Sequence, residues 1–87
     1  MTYTVEIKPA AKRQIKKLPL TIQAQIIQKL SELELDPRPI DVRKLSGEEN
    51  AYRVRVGDYR IVYEIYDRVL VVVVVKVGNR REVYRRK

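Results

Sequence analysis

The feature that most constrains this chain is a two-residue break in an alternating segment. Tyr52, Val54 and Val56 alternate with Arg53 and Arg55. After Gly57-Asp58, Tyr59, Ile61, Tyr63 and Ile65 alternate with Arg60, Val62, Glu64 and Tyr66. Period two is the signature of a strand with one buried face, and a two-residue loop with glycine first suits a type II′ hairpin. Such a loop fixes the register: Val56 faces Tyr59, Arg55 faces Arg60, and Arg53 faces Val62. Arg53, Arg55 and Arg60 therefore share one face. Tyr52, Val54, Val56, Tyr59, Ile61 and Tyr63 share the other, which needs a cover.

The rest of the chain supplies that cover. Tyr3, Val5 and Ile7 alternate with polar neighbours as a strand within residues 2–8, and Pro9 ends it and suits a first helical turn. Ala11, Ile15 and Leu18 recur at helical spacing on a basic surface until Pro19. Ile22, Ile26, Ile27, Leu30 and Leu33 form the stripe of a second helix, expected to stop near Leu35, before Asp36-Pro37-Arg38-Pro39. The two helices read as an antiparallel hairpin, and residues 40–50 as a loop. Val69 to Val77 is a near-continuous valine run, suited to a central strand covered on both faces. The expected fold is α+β: a small β-α-α-β-β-β sandwich in a single domain over residues 1–87, an antiparallel-rich sheet with a two-helix hairpin on one face.

Charge narrows the function. The chain has 87 residues and a net charge of +8. Residues 1–50 carry nine basic against seven acidic groups, and residues 51–87 ten against four, mostly arginine. Arginine pairs bidentately with phosphate, so a polyanion is the expected partner. The last ten residues, Gly78 to Lys87, hold five basic groups and one acidic. Gly78 suits a sharp turn at the strand end, and Val83 and Tyr84 give the segment something to pack. A solvated tail is the bland alternative for this segment, as a soluble outer face is for the hairpin arginines, with Glu64 placed to pair Arg53 diagonally. No apolar run approaches the ~18 residues of a membrane span, and the N-terminus lacks a signal-peptide plan, so a cytoplasmic protein is expected.

Absent residues restrict the chemistry further. There is no His and no Cys, which removes the commonest acid–base residue and the thiol nucleophile. The acidic residues are scattered along the chain, so no metal site and no cofactor are expected. A route to RNA cleavage without metal remains. The 2′-hydroxyl attacks its own adjacent phosphate, and the protein aligns it, stabilises the phosphorane and moves protons. Arginine serves the second task. Tyrosine serves the third if nearby positive charge lowers its pKa from about 10. Directly opposed arginines disfavour strand pairing by about 0.2–1 kcal/mol, which an anion held between Arg55 and Arg60 offsets.

Two blocks then resemble the RelE/ParE toxin superfamily, its RelE branch in particular. They are Asn50 to Tyr63, with Tyr-Arg-x-Arg, a short turn and Tyr-Arg-Ile-Val-Tyr, and Val77 to Tyr84, with Val-Gly-x-Arg-x-x-x-Tyr. The element order matches over essentially the whole chain. The resemblance implies a toxin of a type II toxin–antitoxin system, a ribosome-dependent endoribonuclease (mRNA interferase) that cuts mRNA in the 30S A site and leaves a 2′,3′-cyclic phosphate.

By position, the resemblance implies catalytic roles for Arg55, Arg60, Arg80 and Tyr84: the scissile phosphate for Arg60, proton transfer or base stacking for Tyr84. Arg53, Arg81, Arg85 and Arg86 are expected to bind RNA. Some members carry lysine where this chain has Arg53 and Arg55, and many carry histidine or lysine where it has Asn79, which weakens some proton-transfer assignments. Three residues follow Tyr84, too few for the longer C-terminal helix of some relatives. The implied partners are a RelB-like antitoxin in a hetero-oligomer, the ribosome, mRNA and rRNA, with no membrane. If Asp67-Arg68 is a two-residue loop, Val71, Val73 and Val75 fall on the arginine face and offer the antitoxin an apolar patch; a three-residue loop reverses this. A ParE-type toxin, which inhibits DNA gyrase by binding, is the alternative, and a non-catalytic basic binding module a third reading.

Overall fold

The structure is a computed structural model that describes residues 2–45, 47 and 50–79. Its elements are β1 (Thr4–Ile7), α1 (Pro9–Lys16), α2 (Leu20–Leu35), β2 (Arg43–Lys44), β3 (Ala51–Val56), β4 (Tyr59–Tyr66) and β5 (Val71–Asn79). They form one five-stranded sheet of order β1-β5-β4-β3-β2, with β1 parallel to β5 and the other pairs antiparallel. This is the expected α+β sandwich of two helices on one sheet face, with one strand more than the sequence pattern suggests. That strand, β2, lies inside the segment read as a loop. Two residues are too few to show a period.

Pro9 occupies the first turn of α1, where its fixed φ fits and its missing N–H costs nothing. Ala11 and Ile15 face the core with 0% and 7% exposure, while Lys12, Arg13 and Lys16 stay in solvent. Pro19 precedes α2, and the side chain of Gln23 donates to the Leu18 carbonyl at 2.8 Å, closing the link between the helices. Ile26, Leu30 and Leu33 form the buried stripe of α2. Ile27, which the apolar spacing places in it, is 52% exposed, because one residue advances a helix by about 100° and carries it off the face.

The inner sheet face meets these helices through Val54, Val56, Ile61, Tyr63, Ile65, Val72, Val74 and Val77, all buried. Burying each such side chain contributes about 1.5–3 kcal/mol. Tyr63 is fully buried, and its hydroxyl donates to the Pro37 carbonyl at 2.7 Å. Burial pushes that hydroxyl well above the ordinary tyrosine range.

The β4–β5 connection has four residues, since Tyr66 pairs with Val71. An even count keeps Val71 and Val73 on the arginine face, as a two-residue loop does, and both are half-buried. The valine run is central in the sheet, but it begins at Val71 rather than Val69, which is 67% exposed. A register shift between Val62 and Tyr63 places a bulge in β5: Tyr63 faces Val74 while Val62 faces Lys76. Gly78, expected at a turn, lies inside β5 opposite Arg60 without a positive φ.

At the sheet end away from the Gly57-Asp58 turn, Arg38 clamps the β4–β5 loop. Its two terminal nitrogens donate to the Asp67 carboxylate at 2.9 and 3.1 Å, and its Nε donates to the Tyr52 hydroxyl at 3.3 Å. The Tyr3 hydroxyl donates to the same carboxylate at 2.6 Å. The Arg38 guanidinium, with help from Tyr3, holds the Asp67 carboxyl down at about 2. Among the described residues, no helix is long and apolar enough to cross a membrane.

Candidate nucleic-acid interface

The hairpin register is the one the sequence requires. Val56 faces Tyr59, Arg55 faces Arg60, and Arg53 faces Val62. Gly57 has φ +58° and Asp58 has no positive φ, so the left-handed residue comes first, as a type II′ loop needs. The turn thereby sets two arginines directly across from one another on neighbouring strands, whose facing Cα atoms lie about 4.5–5.5 Å apart.

Two further cations join this face, and neither is apparent from the sequence pattern. Arg43 on β2 faces Arg53. Lys76 on β5 faces Val62. Strict alternation from Val71 would turn Lys76 toward the helices, and the bulge returns it to the outer face while Val77, 2% exposed, enters the core. One row across the sheet thus reads Arg43, Arg53, Val62, Lys76, and the next reads Arg55, Arg60, Gly78. The signal for Lys76 was its place as the one charge in a valine run. For Arg43 there was none, because β2 is so short.

Local chemistry suits an anion. Arg43, Arg55 and Lys76 are exposed and make no ion pair among the described residues. The Arg55 Nε donates to the Gly57 carbonyl at 3.1 Å, which holds the side chain over the turn. Arg60 is half-buried and its Nη1 reaches the Tyr59 carbonyl at 3.5 Å. Glu64, which shares the face, faces Ala51 and accepts the Tyr66 hydroxyl at 2.8 Å, and that bond raises the tyrosine's pKa. Five cations within two rows concentrate positive potential where a phosphate backbone can pass. Among the described residues, no group of three or more acidic side chains is arranged to hold a metal ion.

Arg80, Arg81, Tyr84, Arg85 and Arg86 lie outside the described residues. Asn79, the last described residue, faces Tyr59 at the arginine end of the sheet. The structure brings together Arg53, Arg55 and Arg60 of the expected set and adds Arg43 and Lys76 to them.

Known proteins are similar to this chain in sequence and in fold. Residues 5–84 match the model for the ParE toxin of the type II toxin–antitoxin system parDE. The mRNA interferase toxin RelE of Escherichia coli strain K12 is 35% identical over 88 aligned positions, which cover 97% of this chain and 92% of the relative. Toxin RelG of Mycobacterium tuberculosis is 35% identical and aligns over 99% of this chain and all of its own. The crystal structure of the archaeal RelE–RelB complex from Pyrococcus horikoshii superposes with a TM-score of 0.82 at 32% identity, covering 92% of this chain and 97% of that one. With that fold and that match across nearly its whole length, the chain belongs to the RelE/ParE superfamily of type II toxin–antitoxin toxins, on its RelE branch.

Proposed function

We propose that residues 1–87 act as one toxin domain in the cytoplasm, a ribosome-dependent endoribonuclease that cuts mRNA in the A site. The observation that carries this reading is Arg55 facing Arg60, within a row-on-row cluster that includes Arg53, Arg43 and Lys76. The E. coli relative is named an mRNA interferase, which gives the cluster its substrate.

The chemistry follows from what the chain can supply. The ribose 2′-oxygen attacks the adjacent phosphorus in line and the 5′-oxygen leaves, giving a 2′,3′-cyclic phosphate without metal. Arg55 and Arg60 hold the non-bridging oxygens and stabilise the charge of the phosphorane. Arg80 joins them, and Tyr84 moves a proton between the 2′-hydroxyl and the leaving oxygen. Arg53, Arg81, Arg85 and Arg86 bind the flanking phosphates. A RelB-like antitoxin restrains the toxin in a hetero-oligomer, as the solved RelE–RelB complex suggests. Its apolar residues have Val71 and Val73 to pack on, half-buried on the same sheet face, where Val73 lies between Glu6 and Glu64.

The test is a reconstituted translation system. Wild-type protein is expected to cut mRNA at the A-site codon, and Arg60→Ala is expected to lower the rate by about 10²–10³, the usual cost of one transition-state donor. Cleavage unchanged in Arg60→Ala removes the proposed site. A gyrase-directed toxin, the alternative consistent with the matching family model, would stop DNA replication before protein synthesis.

A further inference from the structure

We propose that the notch between the C-terminal half of β5 and the end of α1 is a nucleotide subsite, holding the RNA nucleotide next to the scissile phosphate. This rests on the arginine cluster being the RNA-cleaving face.

The notch exists because two neighbouring strands differ in length. β5 runs from Val71 to Asn79, but β1 pairs only with Val71 to Val74. Beyond Val74 that edge of β5 has α1 beside it instead of a strand. One edge donor without a strand partner is met by a side chain, since the Val77 N–H donates to Gln14 Oε1 at 2.8 Å. Between helix and strand lies a cavity of about 600 Å³. That is within the usual span of about 300–1,000 Å³ for small-molecule sites.

Its lining has the chemistry of a nucleotide site. Lys17 and Lys76 supply two ammonium groups, both exposed and neither in an ion pair among the described residues. Tyr59 contributes a half-exposed ring and Leu18 an apolar wall. Gln14 and Asn79 add amide groups, and no described carboxylate lines the cavity. A ring with an apolar wall takes a base, and two cations take its phosphate; single-stranded RNA is bound in this way.

Position distinguishes RNA from an acidic peptide. Gly78, in the wall of the notch, faces Arg60 directly, and Tyr59 precedes Arg60 in the chain. Lys76 belongs to both sites: it lines the notch and faces Val62 in the cationic row. These residues put the notch at the sheet edge that adjoins Arg60, where an RNA strand leaving the arginine face passes Lys76 before it meets the Tyr59 ring on the helix side.

The test measures binding of short single-stranded RNAs with 2′-O-methyl riboses, which cannot be cut, to the full chain. Their lengths increase one nucleotide at a time on either side of a central phosphate. For wild-type protein, one added nucleotide on one side is expected to tighten binding about tenfold. That gain is expected to vanish in the double variant Lys17→Gln/Lys76→Gln and to shrink in Tyr59→Leu, with thermal midpoints showing all three proteins folded. Absence of the gain in wild-type protein, or an equal gain in the double variant, overturns the subsite. So does a double variant that binds RNA normally but loses affinity for the antitoxin, since the notch then belongs to the protein partner. Wild-type protein that shows the gain yet leaves ribosome-bound mRNA uncut retains the subsite and removes the nuclease reading.

Discussion

Arg55 and Arg60 face each other across the β3–β4 hairpin, held there by a two-residue turn. Like charges in facing positions repel, by about 0.2–1 kcal/mol on the scale of cross-strand pairs. Stability and activity should therefore move apart when one is removed. Arg55→Ala is expected to leave the unfolding free energy unchanged or raised by up to about 1 kcal/mol, and to lower A-site cleavage by at least about tenfold. Urea unfolding and a cleavage assay on the same preparation check both. A large loss of stability with activity intact would mean that the pair serves the fold.

The turn itself is testable. Gly57 has φ +58°, and a Cβ built there meets nothing within 4 Å. The cost of a side chain is thus conformational alone, and Gly57→Ala should destabilise by about 1–2 kcal/mol. Gly57→Asn, whose side chain tolerates the left-handed region, should cost less. Equal stability of all three proteins in urea would contradict the type II′ geometry.

Gln14 meets the Val77 N–H at 2.8 Å, and Val77 is 2% exposed. Gln14→Ala leaves that donor without its acceptor and should cost about 1–3 kcal/mol. Gln14→Glu keeps an acceptor oxygen and should restore most of the loss. The difference in denaturation midpoint between these two variants reports the bond.

Asp67 gives the clamp a pH dependence. Its carboxyl lies at about 2 in the folded chain, lowered from 3.8 chiefly by Arg38 and then by Tyr3. A carboxyl depressed on folding stabilises above its unfolded pKa, and that contribution fades as pH falls from near 4 toward 2. The pair is about half exposed, so solvent screening keeps the effect small. Asp67→Asn should flatten the fall of the thermal midpoint over that window. An unchanged slope would contradict the assignment.

The hairpin part of the candidate site, Arg53, Arg55 and Arg60, was legible because its geometry is local. Two residues of turn dictate which arginines share a face, and no distant contact can alter that without breaking the hairpin. Lys76 was hidden because a bulge is a one-residue defect in a period of two, invisible in a run of valines that fits either face. Arg43 was hidden because two residues of edge strand carry no period at all. The β4–β5 loop shows how a wrong length can leave a face assignment intact: four residues and two have the same parity, so Val71 and Val73 stay on the arginine face. Ile27 shows the reverse, since an apolar residue next to a buried stripe need not belong to it.

The central claim is tested most directly by mapping mRNA ends on ribosomes stalled with a defined codon in the A site, with and without the protein. Cleavage within that codon, leaving a 2′,3′-cyclic phosphate on the upstream fragment and lost in Arg60→Ala, is the predicted result. Intact mRNA at saturating wild-type protein would contradict it.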